Sequence, residues 1–366
     1  MSPTPLRLAI VGVDHPHGAH WRQLLAQFGE QIEMVAVVPG FGGATASLEE
    51  RLTGLPRFGS VERLVAEADF DSALVCLPNA ETPAVLQALA RVGKHLLVEK
   101  PCGCDAAAFE PAAAAIESSG VAFQTGYMWR YDEIANRLRR MAADGQFGRL
   151  ISVEMTYVTS DVARRGPDHY LFDHAASGGG FFNWLAVHYL DLLIYITGQS
   201  VVGVTARVGV FGPVATSVED GGTAILELSG GGLATFTGGY WLPRWAGENR
   251  WSLRGTQRWV TWEPSRPGTA GAIDIHGPQP QWHPMEDAYS APPDNLPGYG
   301  GRRGHDLVAD WLTAARRPPE TRRRCRNTTT STADVLKLLD AIYESSRTGR
   351  RVACEIGPTL ERPEGG

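Results

Sequence analysis

Two groups of residues in this sequence have the types and spacing for chemistry. The first is Glu99-Lys100-Pro101, directly after the apolar run His95 to Val98. A lysine at the carboxyl end of a buried parallel strand faces the ligand crevice of such a sheet. There it can hold a substrate hydroxyl and stabilise the negative charge that gathers on oxygen as hydride leaves carbon. The alternative is a surface lysine in a turn. The second group is Ser177-Gly178-Gly179-Gly180, followed by Asn183, Trp184, His188 and Asp191. On a helix, Trp184, His188 and Asp191 share one face. A glycine-rich helix start allows another backbone or a ligand to come close. A histidine there suits general-base work, because its ordinary pKa fits removal of a hydroxyl proton. The alternative is a core histidine hydrogen-bonded to Asp191.

A third group would bind rather than react. Gly12-Val13-Asp14-His15-Pro16-His17-Gly18 lies between a strand pattern and a helix pattern, where a dinucleotide fingerprint wants G-x-G-x-x-G or A. Gly12 supplies the tight turn. Asp14 stands for the second glycine and His17 for the third, unless Gly18 takes that role one residue later. An acid at Asp14 tends to repel a pyrophosphate, and protonated His15 or His17, or a displaced loop, would compensate. The next strand ends Val38-Pro39-Gly40, with neither a carboxylate nor an arginine, so it does not separate NAD from NADP. Pro78-Asn79 closes a further strand at the same sheet edge. The loop Asp168 to His174 leads into the glycine triplet, so Asp173 and His174 can reach a substrate. Its two His and two Asp lack fixed ligand spacing, as do His15 and His17, so no metal site is assigned. Trp241 and Trp245 can stack on a sugar face, though core or interface packing is the commoner role.

The elements that must position these residues follow from periodicity. Leu6 to Val11, Ile32 to Val38, Ser72 to Leu77, His95 to Val98 and Val121 to Thr125 read as strands. Helical spacing separates them, at Trp21 to Phe28, Val61 to Val65, Val85 to Val92 and Asp105 to Ser118. Repeated βαβ units imply a doubly wound parallel sheet with a crevice at its carboxyl edge. After residue 126 the pattern changes. A helix at Ile134 to Met141 precedes strand-like runs at 151–158, 201–210, 223–228, 233–240, 250–254 and 259–262, most without helices between them. That implies a large, mostly antiparallel sheet. One helix, Phe182 to Ile196, interrupts it. Pro264 to Gly301 reads as a long surface loop, and helices at His305 to Ala315 and Thr332 to Ser346 close the chain. The expected architecture is α/β: residues 1–125 form a Rossmann domain, and 126–366 an α+β domain for substrate and oligomerisation.

Composition agrees. The 366 residues suit two domains, with 43% hydrophobic and 20% charged residues. The net charge of −6 argues against nucleic acid as the main partner. The basic run Arg322-Arg323-Arg324 reads as a solvated loop and helix start. No apolar run approaches the ~20 residues of a membrane span, and the chain enters a strand almost at once, leaving no room for a leader. Cys76, Cys102, Cys104, Cys325 and Cys354 read as reduced cytoplasmic thiols.

Taken in order, these motifs resemble the glucose–fructose oxidoreductase, inositol dehydrogenase and rhizopine catabolism (Gfo/Idh/MocA) family. The resemblance covers nearly the whole chain. It includes Pro78-Asn79, Gly93-Lys94-His95, Glu99-Lys100-Pro101, Gly126-Tyr127-Met128-Trp129-Arg130-Tyr131, the glycine triplet with His188 and Asp191, and Tyr343 to Arg350. It implies an NAD- or NADP-dependent oxidoreductase acting on secondary alcohols of sugars or polyols, and a homo-oligomer, dimer or tetramer, built on the open second sheet. Lys100 then matches the catalytic lysine, His188 the catalytic histidine and Asp191 an acid that orients substrate. Arg130 and Tyr131 match the substrate-pocket segment, and Asn79 a residue near the nicotinamide. The Lys100–Pro101 bond is expected to be cis. The chain departs from the family where an acid usually precedes the histidine by four residues, here Trp184, and where a histidine follows the Asn by three, here Thr82.

Three functions fit: a dehydrogenase of a carbohydrate-like or cyclitol-like alcohol, a redox-neutral enzyme on the same scaffold, and a binding protein that has lost catalysis. The retained Lys100 and His188 favour the first two, and the altered cofactor positions the third.

Overall fold

A computed structural model describes residues 4–40, 54–278 and 285–358. The chain divides into two compact units, Met1–Tyr131 with Asn295–Ala333, and Asp132–Asp294 with Asp334–Gly366.

In the first unit, β1 (Leu6–Val11), β2 (Ile32–Val38), β3 (Ser72–Val75), β4 (His95–Val98) and β5 (Phe123–Thr125) form one sheet in the order β2-β1-β3-β4-β5. Every pairing is parallel. Helices cover both faces, which is why β3 is buried along its whole length and β4 at all but its first residue. Helix Val61–Glu67 starts on Ser60, whose hydroxyl accepts the Arg63 N–H, and Ala106–Ser119 starts on Asp105, which accepts that of Ala108. The winding reverses between β1 and β3, so the loops after β1, β3 and β4 meet at one edge. Those loops carry Gly12, Pro78-Asn79 and Glu99-Lys100.

The expected boundary after residue 125 needs correction. Helix Gly301–Ala315 puts Leu307, Val308, Trp311 and Leu312 into a core with Leu24, Leu25, Phe28 and Tyr131. Residues 295–333 therefore belong to the first unit. Their apolar spacing announces a buried face but says nothing about which sheet it covers.

The second unit holds a nine-stranded sheet: β6 (Leu150–Ser160), β7 (Val201–Gly209), β8 (Gly221–Leu228), β9 (Leu233–Leu242), β10 (Gly247–Gly255), β11 (Trp259–Glu263), β12 (Ala272–His276), β13 (Asp287–Ser290) and β14 (Val352–Ile356). The order is β13-β12-β11-β10-β6-β9-β8-β7-β14, antiparallel except for the β6–β9 pair. Its strands alternate. Ala224, Leu226 and Leu228 point to the buried face and Thr223, Ile225 and Glu227 to the other. The segment read as a loop from Pro264 to Gly301 contains β12 and β13, two short strands hidden among Pro and Gly. The edge strand β14 was not expected. The helix expected from Phe182 is also modified, opening with a π turn, Phe182–Ala186, before the α-helix Val187–Thr197.

His95 opens β4 and supplies one testable consequence. Its Nδ1 accepts the Ala122 N–H at 3.2 Å, which requires the neutral ring. Burial and the nearby Arg322 guanidinium push the imidazole down from 6.5 to about 4. Between those values the unfolded chain binds a proton that the folded chain refuses. Stability is full above pH 6.5 and falls as pH drops toward 4, by about 2 kcal/mol once partial exposure is allowed for. His95→Gln keeps an acceptor without titrating. Urea denaturation at pH 7 and pH 5 should show less acid sensitivity in the variant; equal sensitivity in both would clear His95 of this role.

Candidate active site

At the end of β1 the chain turns at Gly12, with φ +80°. A Cβ there would lie 1.9 Å from the Cys76 carbonyl oxygen, and one on Gly40 would lie 2.9 Å from the Gly12 Cα. The loops beyond β1, β2 and β3 thus pack backbone to backbone, which glycine alone permits. Asp14 does not hang in the loop. Its Oδ1 accepts the Gly40 N–H at 2.7 Å, tying the first loop to the tip of β2. His15 is buried, and its Nδ1 accepts the His17 N–H at 3.0 Å. Helix Gly18–Ala26 starts immediately afterwards.

Glu99 is the hub of this unit's site. Its carboxylate accepts the Trp21 Nε1–H at 2.7 Å and the Tyr299 hydroxyl at 3.2 Å. His17 Nδ1 lies 3.5 Å away and Lys100 Nζ 3.9 Å. The aromatic rings close over it, with Tyr299 4.7 Å from Trp21 and 4.9 Å from His17. Burial alone would raise the Glu99 carboxyl. The His17 hydrogen bond and the charges of His17, Lys100 and His15 outweigh it, holding the group far below the usual carboxylate range. Lys100 is 2% exposed. Burial lowers its ammonium to about 8, and Glu99 opposes the fall. The surface-lysine alternative is therefore excluded. The Lys100–Pro101 bond is cis, as expected.

Asn79 is buried beside the start of helix Thr82–Arg91, where the Thr82 hydroxyl donates to the Pro78 carbonyl at 3.0 Å. Arg130 and Tyr131 are held by the returning segment. The Tyr131 hydroxyl donates to Asp310 at 2.6 Å, and Arg130 and Arg326 each donate to the other's carbonyl.

In the second unit the glycine triplet is a tight packing device. A Cβ on Gly179 would lie 2.1 Å from the Tyr343 hydroxyl, and one on Gly180 1.9 Å from the Glu219 carbonyl oxygen. Glu219 caps the helix that follows. Its carboxylate accepts the Gly180 N–H at 2.9 Å, the Phe182 N–H at 3.0 Å and the Tyr343 hydroxyl at 2.9 Å. Burial raises the Glu219 carboxyl, although these donors pull the other way. His188 and Asp191 are buried one turn apart on the α-helix. Trp184 belongs to the π turn, so the expected α-helical spacing from Trp184 to His188 does not hold; such turns recur at functional sites. Trp184 meets Tyr170 edge to face at 6.1 Å. Asp173 and His174 are exposed, and Asp173 caps the short helix His174–Ser177.

Residues 6–127 match the family described as an oxidoreductase family with an NAD-binding Rossmann fold, and residues 135–261 match the Gfo/Idh/MocA C-terminal domain. The chain belongs to the Gfo/Idh/MocA oxidoreductase family. Among curated members, it is 27% identical to inositol 2-dehydrogenase of Rhizobium meliloti over 151 residues, 41% of this chain and 44% of that protein. The chain thus matches about half the length of such relatives. Among solved structures, it resembles the Caulobacter crescentus aldose-aldose oxidoreductase complexed with glycerol, with a TM-score of 0.75, 22% identity and coverage of 96% of this chain and 100% of that one. It also resembles a levoglucosan dehydrogenase in complex with NADH, with a TM-score of 0.82, 16% identity and coverage of 97% and 100%. These structural likenesses show that the chain shares the fold of those proteins.

Sequence reasoning missed Tyr299 and Glu219. Tyr299 comes from a segment assigned to the other domain, so nothing local linked it to Glu99. Glu219 precedes β8 as one acid of the pair Glu219-Asp220, and its burial was the missing signal.

Glu219→Gln replaces one acceptor oxygen with a donor that faces a backbone N–H. It should cost about 1–3 kcal/mol in urea denaturation. Gly180→Ala, which drives a methyl group into the Glu219 carbonyl, should cost at least as much. Unchanged midpoints in both would show that the triplet tolerates looser packing than its contacts imply.

Proposed function

We propose that this chain is a nicotinamide-dependent oxidoreductase that takes hydride from a secondary alcohol of a sugar, cyclitol or related polyol. One observation carries the reading: a fully buried lysine, Lys100, stands at the carboxyl end of β4 and is charge-paired with Glu99 in the same unit as the Gly12 turn. A buried charge is costly unless it is paired, and such a lysine in a ligand crevice is a functional candidate.

The residues fit a dinucleotide. The Gly12 turn leaves no space for a side chain, and a helix N-terminus follows it, the arrangement that receives a pyrophosphate. Gly12, Asp14, His15, His17, Pro78, Asn79 and Glu99 are the proposed binding residues. When bound, the nicotinamide supplies the hydride acceptor. Lys100 holds the reacting oxygen and, charged below about pH 8, favours its anionic form. The family resemblance gives His188 the part of proton acceptor and Asp191 that of an acid that orients substrate. Arg130, Tyr131, Asp173, His174 and Trp184 are the proposed substrate contacts, although Tyr131 and Asp173 also have structural bonds of their own.

Calorimetry with NAD and NADH, followed by a polyol screen, tests the reading. Lys100→Ala and His188→Ala should each lower kcat by about a hundredfold or more. The double variant should be little worse than either, because groups that act as a unit are non-additive. Wild-type kcat in His188→Ala would remove this mechanism. Product formed without net NADH would instead mark the redox-neutral enzyme.

We further propose a cytoplasmic homo-oligomer formed through the open face of the nine-stranded sheet. Among the described residues, no helix is long and apolar enough to cross a membrane. On the open face stand Ile225, Leu233 and Trp259, 42%, 49% and 40% exposed. The same face carries a cavity of about 690 Å³ lined by Arg207, Phe211, Thr223 and Trp241. Apolar side chains gathered on one open sheet face support the proposal, since a second copy would cover them. Light scattering at micromolar concentration should report a dimer or tetramer, and Ile225→Glu should shift it toward monomer. A wild-type monomer would contradict the proposal.

A further inference from the structure

The acid that holds the adenosine ribose of a dinucleotide ordinarily stands at the end of the second strand. Here that end reads Val38-Pro39-Gly40, and none of the three carries a carboxylate. The place is nevertheless supplied with one. Asp14, from the loop after β1, has its Oδ1 2.7 Å from the Gly40 N–H. The two loops are in contact there, since Gly12 N–H donates to the Val38 carbonyl at 2.8 Å and Gly40 has no room for a Cβ against Gly12. The carboxylate is thus fixed at the tip of β2, reached from the opposite side of the turn.

We propose that Asp14 is the ribose-holding acid of this chain, supplied by the first loop in place of the second strand, and that it selects NAD over NADP. The proposal rests on the dinucleotide reading above. A carboxylate offers about four lone-pair sites, so it can accept from ribose hydroxyls as well as from the Gly40 N–H. The same negative charge repels the 2′-phosphate of NADP. The geometry also accounts for an acid at the position of the second fingerprint glycine, because the side chain is drawn to β2. Arg57 is the competing feature. It pairs with Val37 in a parallel bridge, and an arginine near this site can receive a 2′-phosphate. Its backbone, however, lies level with Val37, one residue short of the end of β2, whereas the Asp14 carboxylate is bonded at Gly40, beyond that end.

The test is calorimetric titration of NAD and NADP into the full chain, wild type and Asp14→Asn. The wild type should bind NAD at least about tenfold more tightly than NADP. Asp14→Asn keeps an acceptor for Gly40 and loses the charge, so NAD should weaken about tenfold and the preference should narrow by at least that factor. Asp14→Glu, which retains the charge, should keep the preference for NAD and serves if Asp14→Asn does not fold. A wild type that prefers NADP would overturn the proposal in favour of Arg57. So would an unchanged NAD-to-NADP ratio in Asp14→Asn. If the wild type binds neither dinucleotide, the dinucleotide reading itself has failed and the assignment of Asp14 falls with it.

Discussion

A carboxylate and an ammonium lie side by side at the end of β4, both withdrawn from water. Desolvating Glu99 and Lys100 costs several kcal/mol per ion, and their attraction offsets this only when the remaining valences are filled. The neighbourhood of Glu99 is arranged to fill them. Trp21 donates from the first helix, Tyr299 from the returning segment, and His17 approaches from the glycine loop. Two stretches distant in sequence from Glu99, residues 17–21 and the segment of Tyr299, must therefore be in place before the pair is tolerable. This gives residues 295–333 a reason to fold on the first sheet beyond apolar burial: without Tyr299 the Glu99 carboxylate would lose one of its donors.

The glycine triplet repeats the device on a smaller scale. Glu219 is also buried, yet the groups that meet its oxygens are two backbone N–H groups and a neutral hydroxyl. The two carboxyls accordingly move in opposite directions, Glu99 down and Glu219 up. Cationic neighbours explain the difference, since burial acts alike on both. Glu99 is thus suited to keep its charge beside the buried Lys100, and Glu219 to pin the start of the helix that carries His188.

Much of the fold was legible because period and punctuation agreed. The bounds of β1, β2 and β4 coincide with their apolar runs, and Gly198 ends the helix of His188 as its position suggests. What failed was long-range or short-ranged in a way that periodicity cannot resolve. β12 has five residues and β13 four, too few to stand out among Pro and Gly. The π turn before Val187 leaves no mark in hydrophobic spacing, because a wider turn accepts the same residue types. At the site, Lys100 was visible through its place after a strand, whereas Tyr299 became visible only through contact.

The altered family positions are reused rather than left vacant. Asp14 ties the first loop to Gly40, His17 approaches Glu99, and Thr82 closes onto the Pro78 carbonyl. Each side chain has therefore become part of the scaffold that shapes the crevice. Simple reversion to the family residue would delete a contact along with changing the chemistry: a glycine at position 14 would release the tip of β2, and a glycine at 17 would remove an imidazole from Glu99. Trp184 differs in kind. It fills its place with an apolar wall against Tyr170 and supplies no acid. The chain has exchanged one helix carboxylate for packing, which leaves Asp191 as the acid one turn from His188.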